Sequence, residues 1–142
     1  MNFKMQEEPT VWWPVTIRLP ADGGVFVEQK FEAKIRVLPE SEYAQFSLRE
    51  DVERGMAETL AENARLLPRL VLDWIDVSDE AGHVTILRLP ELLTHSAYGV
   101  PLSIALWQAI AEVRYGLPSA AGATEKNSEP SPEPGATAAL TS

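Results

Sequence analysis

The chain contains no cysteine among its 142 residues. That excludes a disulfide framework, a zinc-thiolate site, an iron–sulfur cluster and a cysteine nucleophile, and nothing in the chain calls for an oxidising compartment. Histidine is nearly as scarce. The two present, His83 and His95, lie far apart and outside any close cluster of Asp, Glu and His, so they read as surface residues rather than metal ligands. Positive charge is also short: 12 Lys and Arg against 21 Asp and Glu give a net charge of −9, the wrong sign for gripping a phosphate backbone. No nucleic-acid partner is expected. No stretch approaches the roughly 18 uncharged apolar residues of a membrane span, and the first residues have no apolar core of a signal peptide. The expectation is a protein that is soluble, intracellular where it is made, and not bound to a membrane.

What remains is enough to build one core, with 45% of residues hydrophobic. The composition changes after Gly116. Residues 117–142 hold four prolines, no aromatic residue and two large aliphatics, too little apolar surface to offset the entropy of ordering, so a disordered Pro/Ala/Ser-rich tail is expected there. That segment carries one Lys and three Glu, so a net charge of −7 belongs to residues 1–116, the expected folded domain.

Within the domain, residues 12–37 read as a β-hairpin. Trp13, Val15, Ile17 and Leu19 alternate with Thr16 and Arg18. Val25, Val27, Phe31, Ala33, Ile35 and Val37 then alternate with Glu28, Lys30, Glu32, Lys34 and Arg36. Pro20, Ala21, Asp22, Gly23 and Gly24 supply the turn, and Pro14 places the first strand at a sheet edge or delays its start. After Pro39 the period changes to that of a helix over residues 40–72, with Ser41 as N-cap of a short first piece ending near Phe46. A longer piece over 49–67 presents Val52, Met56, Leu60, Ala64 and Leu67 on one side, weakened at Gly55. Pro68 is expected to break or kink it, with Val71, Leu72, Trp74 and Ile75 assigned to a further helical turn and Trp74 to the core. Residues 76–83 read as an exposed loop, 84–89 as a short strand, 90–96 as a short helix with Pro at its start, and 101–116 as a final helix stopped by Gly116. The fold class is α+β: an N-terminal hairpin followed by three to four helices.

Asp76, Ser78 and Glu80 have the alternate spacing of a calcium loop. Ala81 stands where the sharp turn wants Gly and no acidic ligand closes the loop, so a solvated turn is the reading and no metal or cofactor is expected. Nucleophile elbows, P-loops and dinucleotide fingerprints do not occur, and no enzyme is expected. The final helix is more informative. Leu102, Ala105, Leu106, Ala109, Ile110 and Val113 share one side, while Ile104, Trp107, Ala111 and Tyr115 share the opposite side. Two readings are open: a centrally buried helix, or one core face and one face used for self-association or for binding another protein. Trp12, adjacent to Trp13, faces away from it on a strand. It joins the second face as a candidate partner residue or packs beneath the N-terminal segment.

Taken in order, residues 11–19, 30–34, the Val-Leu-Asp-Trp-Ile-Asp-Val-Ser-Asp-Glu-Ala-Gly run at 71–82, Leu92-Leu93 and the 105–115 helix with its Ala-Leu-x-x-Ala-Ile pattern resemble the tail assembly chaperones of long-tailed bacteriophages. The likeness covers residues 11–127, ending on Glu125, Lys126 and Asn127. The resemblance implies a non-enzymatic protein of the host cytoplasm, absent from the finished virion. It would keep the helical tape measure protein soluble, help bring tail tube subunits to it, and be made also in a longer, frameshifted form. Glu125-Lys126-Asn127 bears on that form, because the codons GAA AAA AAC contain the slippery heptamer A AAA AAC. A structural tail or connector subunit and a small cellular adaptor are the alternatives.

Overall fold

A computed structural model describes residues 9–43 and 55–120, together with residues 3 and 5. The architecture is α+β, as the pattern predicts. β1 (Thr10–Ala21) and β2 (Val25–Arg36) form an antiparallel hairpin in which Val15 faces Phe31 and Trp13 faces Ala33. The turn is closed by Gly23 and Gly24 at φ of 88° and 78°, backbone that an L side chain would strain. The sheet order is β1-β2-β3, so β1 is an edge strand, as Pro14 requires.

The third strand, β3 (Val71–Ile75), corrects the expectation of a helical turn there: it pairs antiparallel with β2, Ala33 opposite Trp74. A register shift between Lys34 and Ile35 interrupts the ladder. Val71 and Trp74, three residues apart, both end up buried, a spacing that imitates a helix face.

The expected helix over 40–72 is two pieces in the described residues. α1 (Glu40–Tyr43) starts one residue before Ser41, which is therefore not its N-cap, and α2 spans Met56–Leu70. Phe46, Arg49 and Val52 lie outside the described residues. Pro68 neither breaks nor ends α2, because it sits in the last turn and forfeits one hydrogen bond just before the chain turns into β3. Met56, placed on the apolar side, is exposed; the buried side is Asn63, Leu66, Leu67 and Leu70.

The exposed loop expected at 76–83 is exposed but ordered as a two-stranded ribbon, β4 (Ser78–Asp79) and β5 (Gly82–His83). The strand expected at 84–89 is instead an extended step and a 3₁₀ turn, Ile86–Arg88, leading into α3 (Leu89–Leu93) with Pro90 in its first turn. α4 (Gly99–Tyr115) ends where Gly116 takes the left-handed φ of 69°. Residues 117–120, assigned to the tail, are tied back onto α4; the rest of the expected tail lies outside the described residues.

The core lies between the inner face of the hairpin, the buried side of α2, Leu89 and Leu93 of α3, and Leu102, Leu106, Ala109 and Ile110 of α4. Trp74 is its centre. Its ring meets Phe31 edge-on at 6.0 Å, and its Nε1 donates to the Val84 carbonyl at 2.7 Å, so the deepest indole leaves no unpaired polar atom.

α3 and α4 approach closely only because residue 99 has no side chain: a Cβ there would collide with the Leu93 carbonyl oxygen. Gly99→Ala must push two helices apart rather than rotate a side chain, and is expected to lower the unfolding free energy by about 3 kcal/mol in a urea titration.

Candidate partner-binding surface

α4 lies along β1 and buries the side predicted for the core: Leu102, Ala105, Leu106, Ala109 and Ile110 are all buried. The opposite side is divided. Ile104 is 66% exposed and Tyr115 61% exposed, whereas Trp107 and Ala111 are half-buried. The Trp107 Nε1 donates to Oδ1 of the buried Asn63 at 3.1 Å, fastening α4 to α2. Tyr115 stands at the far end, where the Arg114 guanidinium lies 4.2 Å from the ring centre of Tyr43 and 4.9 Å from that of Tyr115. The four residues therefore do not form one free stripe.

Trp12 is exposed on the outer face of the hairpin, paired across the strands with Lys34. Trp13 turns inward, as neighbouring strand residues must, and its Nε1 donates to Oε1 of Glu112 at 2.8 Å.

Glu112 is a buried carboxyl on α4. Its second oxygen accepts from Gln108 Nε2 at 3.0 Å and from the backbone N–H of Ala120 at 2.9 Å. With the Leu117 N–H donating to the Glu112 carbonyl at 2.8 Å, one residue joins β1, α4 and the chain leaving α4. Burying a carboxyl without such partners would cost several kcal/mol, on the order of 3 or more.

Between β1 and α4 runs a groove of about 470 Å³. Ile104, Ala105 and Gln108 form one wall, Thr16, Arg18 and Phe26 the other, and Ala120 closes an end beside Glu112. Its lining is mainly apolar. The Oγ1 of Thr16 is buried there without a hydrogen-bond partner. Phe26 is 59% exposed, with the Arg18 guanidinium 5.1 Å from its ring centre.

Phe26 and its neighbours were not among the predicted site residues. Val25 and Val27 share by alternation the face of Phe31, Ala33 and Ile35, yet both are exposed, because the hairpin outruns the helices that cover it. Twelve-residue strands reach about 40 Å, while the 17 residues of α4 span about 25 Å. The signal for this was Phe26 itself, a large apolar residue on the face otherwise occupied by Glu28, Lys30 and Glu32.

In the acidic ribbon, Asp79 braces the local structure. Asp79 accepts from the Ala81 N–H at 2.8 Å and from Arg88 at 3.2 Å, and Arg88 also reaches Glu91 at 2.9 Å. The Arg88 hydrogen bond and charge hold the Glu91 carboxyl below the usual carboxylate range, and Glu91 in turn raises Arg88. Among the described residues no group of three or more Asp, Glu and His is placed to hold a metal ion, and no helix is long and apolar enough to cross a membrane. Glu125, Lys126 and Asn127 lie outside the described residues. No family model, curated protein or solved structure matches the chain.

Proposed function

We propose that this chain is a tail assembly chaperone of a long-tailed bacteriophage. In this reading it holds the helical tape measure protein in solution, promotes tail tube assembly around it, acts in the host cytoplasm and stays out of the finished particle. The observation that supports the reading best is the apolar groove walled by Ile104 and Phe26, beside an exposed hairpin tip. A holdase needs apolar surface that accepts the stripe of a client helix, and enough net charge to remain soluble while displaying it. The groove offers the first and the charge of −9 the second. The resemblance in the order of hairpin, Val71-to-Gly82 segment and final helix adds the phage context.

The test is co-expression with the tape measure protein encoded beside it. A soluble, co-purifying tape measure protein is the expected result, and one that stays insoluble overturns the reading. Recovery of the chain in purified particles would instead assign it to the tail or connector as a structural subunit. The nucleotides encoding Glu125 to Asn127 give an independent check on the longer form: A AAA AAC followed by an open −1 frame is expected.

A further inference from the structure

The three-stranded sheet has two edges, and they differ. The Val37 N–H donates to the Pro9 carbonyl at 2.9 Å, in line with the register of β1 and β2. Because bonded and unbonded pairs alternate, the odd-numbered residues of β1 bond to β2 and the even-numbered ones turn their backbone groups away from it. Carried across β2, the same alternation turns the Trp74 N–H to the outer edge of β3. There the Asp73 carboxylate accepts it at 2.8 Å, so a side chain of the strand itself blocks that edge.

The edge of β1 is not blocked in this way. It carries Pro14 and Pro20, where neither forfeits a bond to β2, and between them Thr16 and Arg18. The stretch offers two N–H donors, from Thr16 and Arg18, and four carbonyl acceptors, from Pro14, Thr16, Arg18 and Pro20. Among the described residues no strand pairs with it. Pro14, Thr16 and Arg18 line the groove that separates β1 from α4, so open space lies beside this edge, with Ile104 and Ala105 on the far side.

We infer that the edge from Pro14 to Pro20 accepts an extended, proline-free segment of a partner protein as a fourth strand, antiparallel to β1. Seven residues cover it. Those opposite Pro14, Thr16, Arg18 and Pro20 bring N–H groups to the four carbonyls, and main-chain bonds of this kind supply the affinity. The three between them, opposite Val15, Ile17 and Leu19, turn their side chains to the inner face and the apolar groove, so β-branched residues fit there. The excess of acceptors over donors also chooses among occupants. A second copy paired through Thr16 and Arg18 would set Pro14 against Pro20, and neither can donate. The inference goes beyond the chaperone reading and does not rest on it: the backbone edge selects the occupant, and this strand and a client helix would exclude each other from the groove.

The experiment combines amide hydrogen exchange by NMR with fluorescence anisotropy, on the full chain and a labelled heptapeptide of sequence Thr-Val-Thr-Val-Thr-Val-Thr. In the free chain the Thr16 and Arg18 amides should exchange fast and those of Val15 and Ile17 slowly. With peptide bound, Thr16 and Arg18 should slow at least about tenfold. Binding should be saturable. N-methylation of the four threonines removes the bonding N–H groups and leaves every side chain, and should weaken binding at least about tenfold. Thr16→Pro and Arg18→Pro each take one donor from the free edge without touching the bonds to β2 and should act alike, whereas Thr16→Val keeps the N–H and should bind as the unmodified chain does. The N-methylated peptide leaves the protein unaltered, so its result holds whether or not the proline variants fold. Absent binding, equal binding of the N-methylated peptide, or protected Thr16 and Arg18 amides in the free chain would each overturn the inference. A dimer of the free chain that Arg18→Pro dissociates would do so too, and would give the edge to a second copy.

Discussion

Trp74→Ala is expected to lower the unfolding free energy by about 4 kcal/mol, a large part of the roughly 5–15 kcal/mol that holds a folded domain together. Three things are lost at once: an indole 1% exposed, its edge contact with Phe31, and the donor that satisfies the Val84 carbonyl. Val84 anchors the ribbon, so local opening of residues 76–84 should accompany the loss. Trp74→Phe separates the parts. It keeps a ring for Phe31 and leaves the Val84 carbonyl without its donor, and should cost about 2 kcal/mol. Urea titration gives both values, and hydrogen exchange at the Val84 amide reports the ribbon. A loss below about 1 kcal/mol for the alanine variant would show that Trp74 is not the centre of the core.

The elements legible in the sequence are those whose own pattern decides them. The hairpin follows from alternation and a Gly-Gly turn, and α4 from a helical core side closed by Gly116. Those that were not legible depend on a partner strand or on relative lengths. β3 shows apolar residues three apart because the register shift at Lys34 and Ile35 rotates its pleat, and Pro68 sits close enough to the end of α2 that its missing bond is tolerable. Val25 and Val27 alternate as core residues do. Only the three-dimensional reach of the hairpin past α4 exposes them.

The candidate site was legible in half. Helical angle alone placed Ile104 and Tyr115 on the side of α4 opposite its core face and left open whether that side is buried; both are exposed. The same angle put Trp107 with them, and it could not foresee that Asn63, on the buried side of α2, would accept the indole N–H and draw that ring inward. Glu112 was hidden for a related reason: an acidic residue on a helix reads as solvated, and its role appears only when Trp13 and Ala120 converge on it from distant parts of the chain.

These differences decide which substitution tests the proposed client groove. Trp107→Glu would leave Asn63 Oδ1 without its donor and force a carboxylate between α2 and α4, so lost binding and lost folding would coincide. Ile104 is the better position. Being 66% exposed, it contributes little to the core, and Ile104→Asp should leave the urea midpoint within about 0.5 kcal/mol of the unmodified chain. In a complex the same residue is a wall of the groove, and a carboxylate there would be desolvated against the apolar stripe of a client helix. The expected loss is about 3 kcal/mol, more than a hundredfold in affinity for the tape measure protein, with a matching fall in its soluble yield on co-expression. Phe26→Ser, on the facing wall, should act in the same direction with a smaller loss of about tenfold, because the Arg18 stem still covers part of that wall. Unchanged client binding by both variants, with folding intact, would move the client away from the β1–α4 groove.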